Sequence, residues 1–384
     1  MKKCKIKDVI EKEFKGLWGT DFDNNGIPVI KTNNMTYEGR INFSDICYRN
    51  ISLDDAKENL LQKGDLIIEK SGGTKTHSVG YVNIFEGIDN KFVCNNFILP
   101  IRPKKDLVIP KFLFWQLHSM YKTERFSDCF NKTTGIQNLQ KKTYFDKEIY
   151  LYDISIQKQI ANHLDTIQAA IDNKQQQLKE LDELVKSRFI EMFGDVYIYP
   201  KYEVKKMGEI CTVQQGLQIP IAKRLTNSDG DNCYKYITIQ YLNGGKTVEY
   251  IKNPRKSVLC DYEDVLMTRT GNTGQVVTNV NGCFHNNFFR IDYDKSKLDR
   301  IYFIEFLSQD NVKQDMLRKA TTTTIPDLSH CDFFKIPIIL PPLELQNSFA
   351  SFVQQIDKSK FVVKQQIKDL QELMDSKMQE YFGE

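Results

Sequence analysis

Apolar residues recur in steps of four and three from Ile160 onward: Ile160, Leu164, Ile167, Ile171, then Leu178, Leu181 and Val185, with Lys174 interrupting the series. A second run repeats the pattern through Phe349, Val353, Ile356, Val363, Ile367, Leu370 and Met374, with Lys360 as its polar break. This spacing predicts two amphipathic helices with an a/d seam, about 35 residues and roughly 50 Å long each. A seam of that length needs a facing helix. The interface residues are therefore expected to be Ile160, Leu164, Ile167, Ile171, Leu178 and Leu181 on the first helix and Phe349, Val353, Ile356, Ile367 and Leu370 on the second. A lone lysine in each seam can mark register, or its ammonium can snorkel out to water.

The rest of the chain has a different period. Short β-rich runs, such as Asp65–Glu69, Gly80–Phe85, Tyr236–Gln240 and Gln275–Thr278, are punctuated by Gly and Asn turns. One helix is predicted near Lys111–Tyr121 and one over Arg300–Arg318. The order is globule, long helix, globule, long helix, with boundaries at 1–150, 151–195, 196–341 and 342–384.

That order is a tandem duplication. Thr133–Leu139 overlays Thr322–Leu328, and at the same offset the match runs without a gap to Phe193-Gly194 on Phe382-Gly383. Phe145 falls on Phe334, Gln157 on Gln346, Ile167 on Ile356 and Leu184 on Leu373. Upstream the match survives in patches with small shifts: Gly64–Gly72 resembles Glu263–Gly271, and Asn95-Asn96-Phe97 resembles Asn286-Asn287-Phe288. A duplicated chain whose copies pair through equivalent helices most simply adopts a pseudo-twofold, which makes the helices antiparallel. The expected fold is α+β: two globular α/β domains separated by two long helices forming an antiparallel coiled coil, in a pseudo-twofold tandem repeat.

Composition narrows the class. The 384 residues exceed one ordinary core, and 53 basic against 50 acidic residues give a net charge of +3, far from a histone-like polycation. No stretch approaches the roughly 18 apolar residues of a membrane span, so no membrane partner is expected and the chain reads as cytoplasmic. The nine cysteines form no C-x-x-C pair and the five histidines show no ligand spacing, so neither metal nor cofactor is expected.

The arrangement resembles a known family. Two variable globular domains of about 150 residues, each ending in a strand exit and a long helix, are similar to the specificity subunit of type I restriction-modification systems, a bacterial defence. The second exit, Ile336-Pro-Ile-Ile-Leu-Pro-Pro-Leu-Glu-Leu-Gln346, carries the family pattern; the first, Ile149–Gln157, lacks its prolines and glutamate. The link Phe193-Gly194-Asp195 leading to Glu203–Ile210 is also family-like. The resemblance implies that each globule is a target-recognition domain reading one half of a split site in double-stranded DNA. It further implies that the helices space the domains and dock two modification (methyltransferase) subunits, joined by restriction subunits.

Candidate contacts follow from the repeat. The loop Lys70, Ser71, Thr74, Lys75 and His77 occupies the same place as Arg269, Asn272, Thr273 and Gln275, just after a strand. Glycines there allow close backbone approach, and the side chains are types that bind phosphate or base edges, although an ordinary polar turn uses the same residues. A second equivalent pair, Lys132, Thr133, Thr134 and Gln137 against Thr322 and Thr323, suits contact with the DNA backbone or capping of a helix. Between Arg102 and Lys142, nine basic residues stand against three acidic ones, the strongest local basic bias. No catalytic residue is expected. The one Pro-Pro, Pro341-Pro342, follows leucine and not the Asn or Asp of an amino-methyltransferase loop, and Pro326-Asp327 has no nearby Asp/Glu-x-Lys for a nuclease. The reading from another class is a coiled-coil scaffold or adaptor that binds proteins.

Overall fold

The computed structural model describes residues 2–21, 26–74, 76–133, 136–228, 230–245, 247–320 and 326–383, without the side chains of Lys132 and Thr133. The two long helices are Ile154–Phe193 and Leu343–Phe382, each 40 residues and related by the repeat offset at both ends. The chain divides into two compact units, residues 1–175 with 365–384 and residues 176–364, so each unit is one globule with part of each long helix.

In the first unit the central sheet is antiparallel, with Leu66–Glu69 between Val82–Ile84 and Ile98–Pro103, and Ile10–Glu13 beyond the latter. A second sheet includes the parallel pairing of Val29 with Val93 and Ile30 with Cys94. The second unit repeats both. Val265–Thr268 lies between Val276–Val277 and Phe288–Tyr293, with Cys211–Gln215 outermost, and Tyr236 and Ile237 pair in parallel with Cys283 and Phe284. Leu66, Ile67, Ile68, Val265, Leu266 and Met267 have essentially no exposed surface, as their continuous apolar runs require for strands covered on both faces. The sheets also fix the upstream register. Glu69 pairs with Ile98 and Thr268 with Phe288, so Ile98 is the counterpart of Phe288. The sequence overlay of the two Asn-Asn-Phe triplets is therefore one residue out of register; ladder pairing, not the triplet, sets the match.

Two further expectations are corrected. The predicted helix over Arg300–Arg318 is two, Arg300–Leu307 and Asp310–Lys319, because buried Gln309 between them is extended (φ −60°, ψ 137°). The run Tyr236–Gln240 is strand only to Ile237; Thr238 then caps a short helix, Ile239–Leu242, its side chain accepting from the Tyr241 N–H. The first strand exit, by contrast, keeps its form without the prolines: Glu148–Leu151 pairs with Lys2–Lys5, as Pro337–Ile339 pairs with Val204–Lys206.

The helix pair is antiparallel in each unit. His163 Nδ1 meets Tyr381 Oη at 2.7 Å in the first, and Phe189 and Phe193 pack on Phe349 in the second. Ile160, Leu164, Ile167 and Ile171 are buried, yet they share one core with Phe112, Leu113 and Trp115 of the globular helix Pro110–Lys122, together with Met374, Met378 and Phe382. In the second unit Val185, Phe189 and Phe193 join Phe349, Val353 and Ile356 in a core with Tyr302, Phe303 and Phe306. Ile367, Leu370 and Leu181 are only partly buried beside these cores, and Leu178 belongs to neither. The seam is thus strongest where a globule covers it. Lys360 gives its ammonium to Asp182 on the facing helix at 2.6 Å.

One contact joins strand exit, globule and long helix, and it occurs twice. Gln157, fully buried, donates to the carbonyls of Tyr152 and Leu107 at 2.7 and 3.0 Å and accepts from the Ile109 N–H at 2.8 Å. Gln346, its counterpart in the repeat and equally buried, donates to Pro341 and Lys297 at 2.9 and 2.8 Å and accepts from Asp299 N–H at 2.9 Å. Removing either amide leaves three backbone groups without partners away from water, at about 1 to 3 kcal/mol for each that stays dry. Gln157→Leu and Gln346→Leu should each lower stability by at least about 2 kcal/mol in urea unfolding. The two losses should be similar, because the partners are equivalent.

Candidate nucleic-acid interface

The two candidate loops leave their central strands at the same backbone station. Lys70 N–H donates to Phe97 O at 2.7 Å and Lys70 O accepts from Leu139 N–H at 2.8 Å; Arg269 N–H donates to Asn287 O at 2.8 Å and Arg269 O accepts from Leu328 N–H at 3.0 Å. Leu139 and Leu328 are the leucines the repeat aligns. The sequence therefore located equivalent loops correctly, and the side chains on them diverge.

In the second domain the loop is braced from within. Arg269 makes a two-pronged ion pair with Asp327, Nε and Nη2 each 2.7 Å from a carboxylate oxygen. Thr273 is buried and donates to one of two carbonyls within reach, Arg269 O at 3.0 Å and Pro326 O at 2.8 Å. Asn272 and Gln275 are exposed, their amides 3.1 Å apart. Gly274, at φ +82°, would place a Cβ against Met316, so its conformation and the helix beneath account for the glycine.

In the first domain Ser71 donates to Asn138 Oδ1 at 2.6 Å. Thr74 Oγ1 accepts from His77 N–H at 3.0 Å, and the His77 ring stacks on Tyr37 with centroids 3.7 Å apart. Gln137 is buried and braces the loop by accepting from Val79 N–H at 3.1 Å. Gly73, at φ +71°, packs against Gln137, where a Cβ would lie 3.0 Å from the amide. Thr74, Thr76, His77, Ser78, Tyr121 and Gln137 line a cleft of about 470 Å³. Lys132 and Thr133 belong to the strand Phe130–Thr133, paired with Ile136–Leu139, and their side chains lie outside the description. Lys75, Thr134, Thr322 and Thr323 lie outside the described residues.

Sequence reasoning missed Glu69, because nothing in the run Leu-Ile-Ile-Glu marks the acid as buried with its neighbours. It is buried directly beneath the loop, 3.4 Å from the Gly73 nitrogen, where a Cβ on Gly72 would meet its Oε1 at 2.7 Å. Burial pushes its carboxyl up to about 7, against a small opposing effect of the Gly73 hydrogen bond. Its counterpart in the second domain is the neutral, buried Thr268.

Of the nine basic residues between Arg102 and Lys142, at least four are ion-paired within the unit. Arg102 grips buried Asp65 at 2.8 and 2.7 Å, Lys111 holds Asp165 at 2.8 Å, Lys122 meets Asp375 at 3.4 Å and Lys141 pairs with Glu13. Lys104 donates to the Asp8 carbonyl at 2.9 Å. Counting charges along a sequence cannot see partners that are distant in the chain. No described helix is long and apolar enough to cross a membrane.

Comparison with known proteins agrees with this architecture. The family model described as type I restriction modification DNA specificity domain matches residues 1–183 and 199–372. The MjaIX type I restriction enzyme specificity subunit of Methanocaldococcus jannaschii is 24% identical over 99% of this chain and 92% of its own length. The same organism's putative MjaX specificity subunit is 22% identical over 92% and 85%. Its MjaVIII subunit is 24% identical over 50% of this chain and 44% of its own length. Among solved structures, a chain from work on assembly and conformational transition of the type I R-M system superposes with a TM-score of 0.59 at 15% identity, covering 99% of this chain and 97% of that one. The type I S subunit from M. genitalium gives 0.53 at 17% identity, covering 100% and 96%.

Glu69 makes the first loop's footing pH-dependent. Its carboxyl rises from 4.5 to about 7 on folding, so the native state holds the proton more tightly and stability falls as pH climbs from about 5 through 7. Glu69→Gln should flatten that dependence, matching wild type near pH 5 and exceeding it by on the order of 1 kcal/mol at pH 8 in urea unfolding.

Proposed function

The chain belongs to the type I restriction modification DNA specificity family, and from that premise we propose that it is the sequence-reading subunit of a type I restriction-modification complex. Each globular domain contacts one half of a two-part site in double-stranded DNA, and the long helices hold the spacing and dock two modification subunits, which restriction subunits join. The chain itself carries out no methyl transfer or cleavage. The observation that carries this reading is the pair of loops on one backbone station with different side chains: the frame is duplicated while the chemistry presented is not. Such a frame suits a non-palindromic split site, since each half meets its own set of donors and acceptors.

Docking has its own support. Phe361 and Val362 on the second long helix are 71% and 53% exposed, unusual for side chains so apolar at mid-helix, and aromatic surface residues are the type that anchor protein interfaces.

Replacing residues 1–150 with a homologous domain should change one half of the methylated motif and leave the other half and the gap intact. Mapping methylated bases in a host that expresses the chain with its modification subunits reads both halves at once, and a motif altered in both would end the two-reader model. Phe361→Ser should weaken copurification of the modification subunits about tenfold or more, a hot-spot loss, while the melting temperature of the chain stays unchanged.

A further inference from the structure

The station shared by the two loops carries different charge balances. In the second domain it holds one cation and one carboxylate, Arg269 and Asp327, beside His330, whose burial and proximity to Arg269 lower its pKa. The repeat offset puts Asn138 where Asp327 stands and Lys141 where His330 stands. Among the described residues the first domain holds two cations here, Lys70 and Lys141; Glu13 pairs with Lys141, and Glu69 lies buried beneath the loop with its carboxyl pushed up to about 7. Asn138 Oδ1, the atom that replaces a carboxylate oxygen, accepts from Ser71. Among the described residues no carboxylate lies within ion-pair distance of the Lys70 ammonium. Partial burial and the neighbouring Lys141 both disfavour its charge and lower its pKa.

These two cations face opposite energetics toward an anion. Arg269 would have to give up two charge-assisted hydrogen bonds, and leave Asp327 uncompensated, before it could turn to a phosphate. Lys70 is charged, partly desolvated and uncompensated, and its unfavourable position is relieved when an anion arrives. The backbone around it is already fixed by the Phe97 and Leu139 hydrogen bonds, so its location is set in advance.

We propose that Lys70 is a DNA phosphate contact of the first domain, whereas Arg269 is a positioning residue that clamps its loop through Asp327 and touches no phosphate. The two half-sites then differ in kind: the first contributes a salt-dependent contact at this station and the second does not. This rests on the reading that both domains bind duplex DNA.

The test uses the complete chain with its modification subunits and a duplex bearing the mapped split site, with affinity measured across a range of salt. Lys70→Ala should weaken binding several-fold at low salt and make the slope of log affinity against log salt shallower by about one. An unchanged slope would remove Lys70 from the interface. Arg269→Ala and Asp327→Asn should act alike, each keeping the wild-type slope and relaxing base preference in the second half-site alone, read from the methylated motif. If Asp327→Asn instead tightens binding or leaves it unchanged while Arg269→Ala flattens the slope, the arginine is a phosphate ligand and the clamp assignment is wrong. Absence of preference for any split duplex by the wild-type complex would be a different failure, that of the duplex-reading function itself.

Discussion

Each long helix begins at a buried glutamine whose three hydrogen bonds go to three different backbone stations: the chain just before the helix, the turn that precedes the globule's own helix, and the N–H at that turn's exit. A helix of such length attached by a flexible strand exit would swing. With Gln157 and Gln346 in place, a change of angle between helix and globule must break dry hydrogen bonds, which is far costlier than bending a solvated loop. Everything positional depends on this. The apolar faces of Ile160–Ile171 and Phe349–Ile356 can serve as parts of globular cores only because the helix start is held against the globule.

That dependence explains which parts of the structure the sequence made legible. Helix periodicity and the constant offset between the copies are local or repeated signals, and both long helices fall within a few residues of expectation, ending together at Phe193 and Phe382. The seam was legible only in part. A heptad reading assigns Leu178 and Leu181 the same weight as Ile160, Leu164 and Ile167, yet burial follows the globules, and Phe189, Phe193, Met378 and Phe382 carry the packing instead. Periodicity reports which face of a helix is apolar, not what covers it.

The candidate site shows the same limit more sharply. Residue type suggested that Lys70 and Arg269 are equivalent, and their backbones are. What separates them is Asp327 against Asn138, each far along the chain from its loop, whose effect exists only after folding. Gln137 and Thr273 looked like recognition residues for the same reason: a hydroxyl or amide that braces a loop from below has the composition of one that faces DNA. Glu69 escaped notice altogether, since nothing in a run of Leu-Ile-Ile-Glu says that the acid is buried along with its neighbours.

These differences suggest how a duplicated frame supports two unlike readers. Constraints that fix geometry, the glutamine clamps, the central ladders and the hydrogen bonds at the loop station, are made by backbone groups or by side chains identical in both copies. Residues that set local charge do so through side chains, where a change such as Asp to Asn, or Thr to Glu at the Thr268 and Glu69 position, leaves the backbone path intact. Divergence in those side chains alters what a nucleic acid meets without loosening what holds the loop. The cost is local: a carboxyl buried at about 7 beneath one loop and an uncompensated lysine on it are tolerated because at both positions the frame is made by backbone groups, which the side chains do not replace.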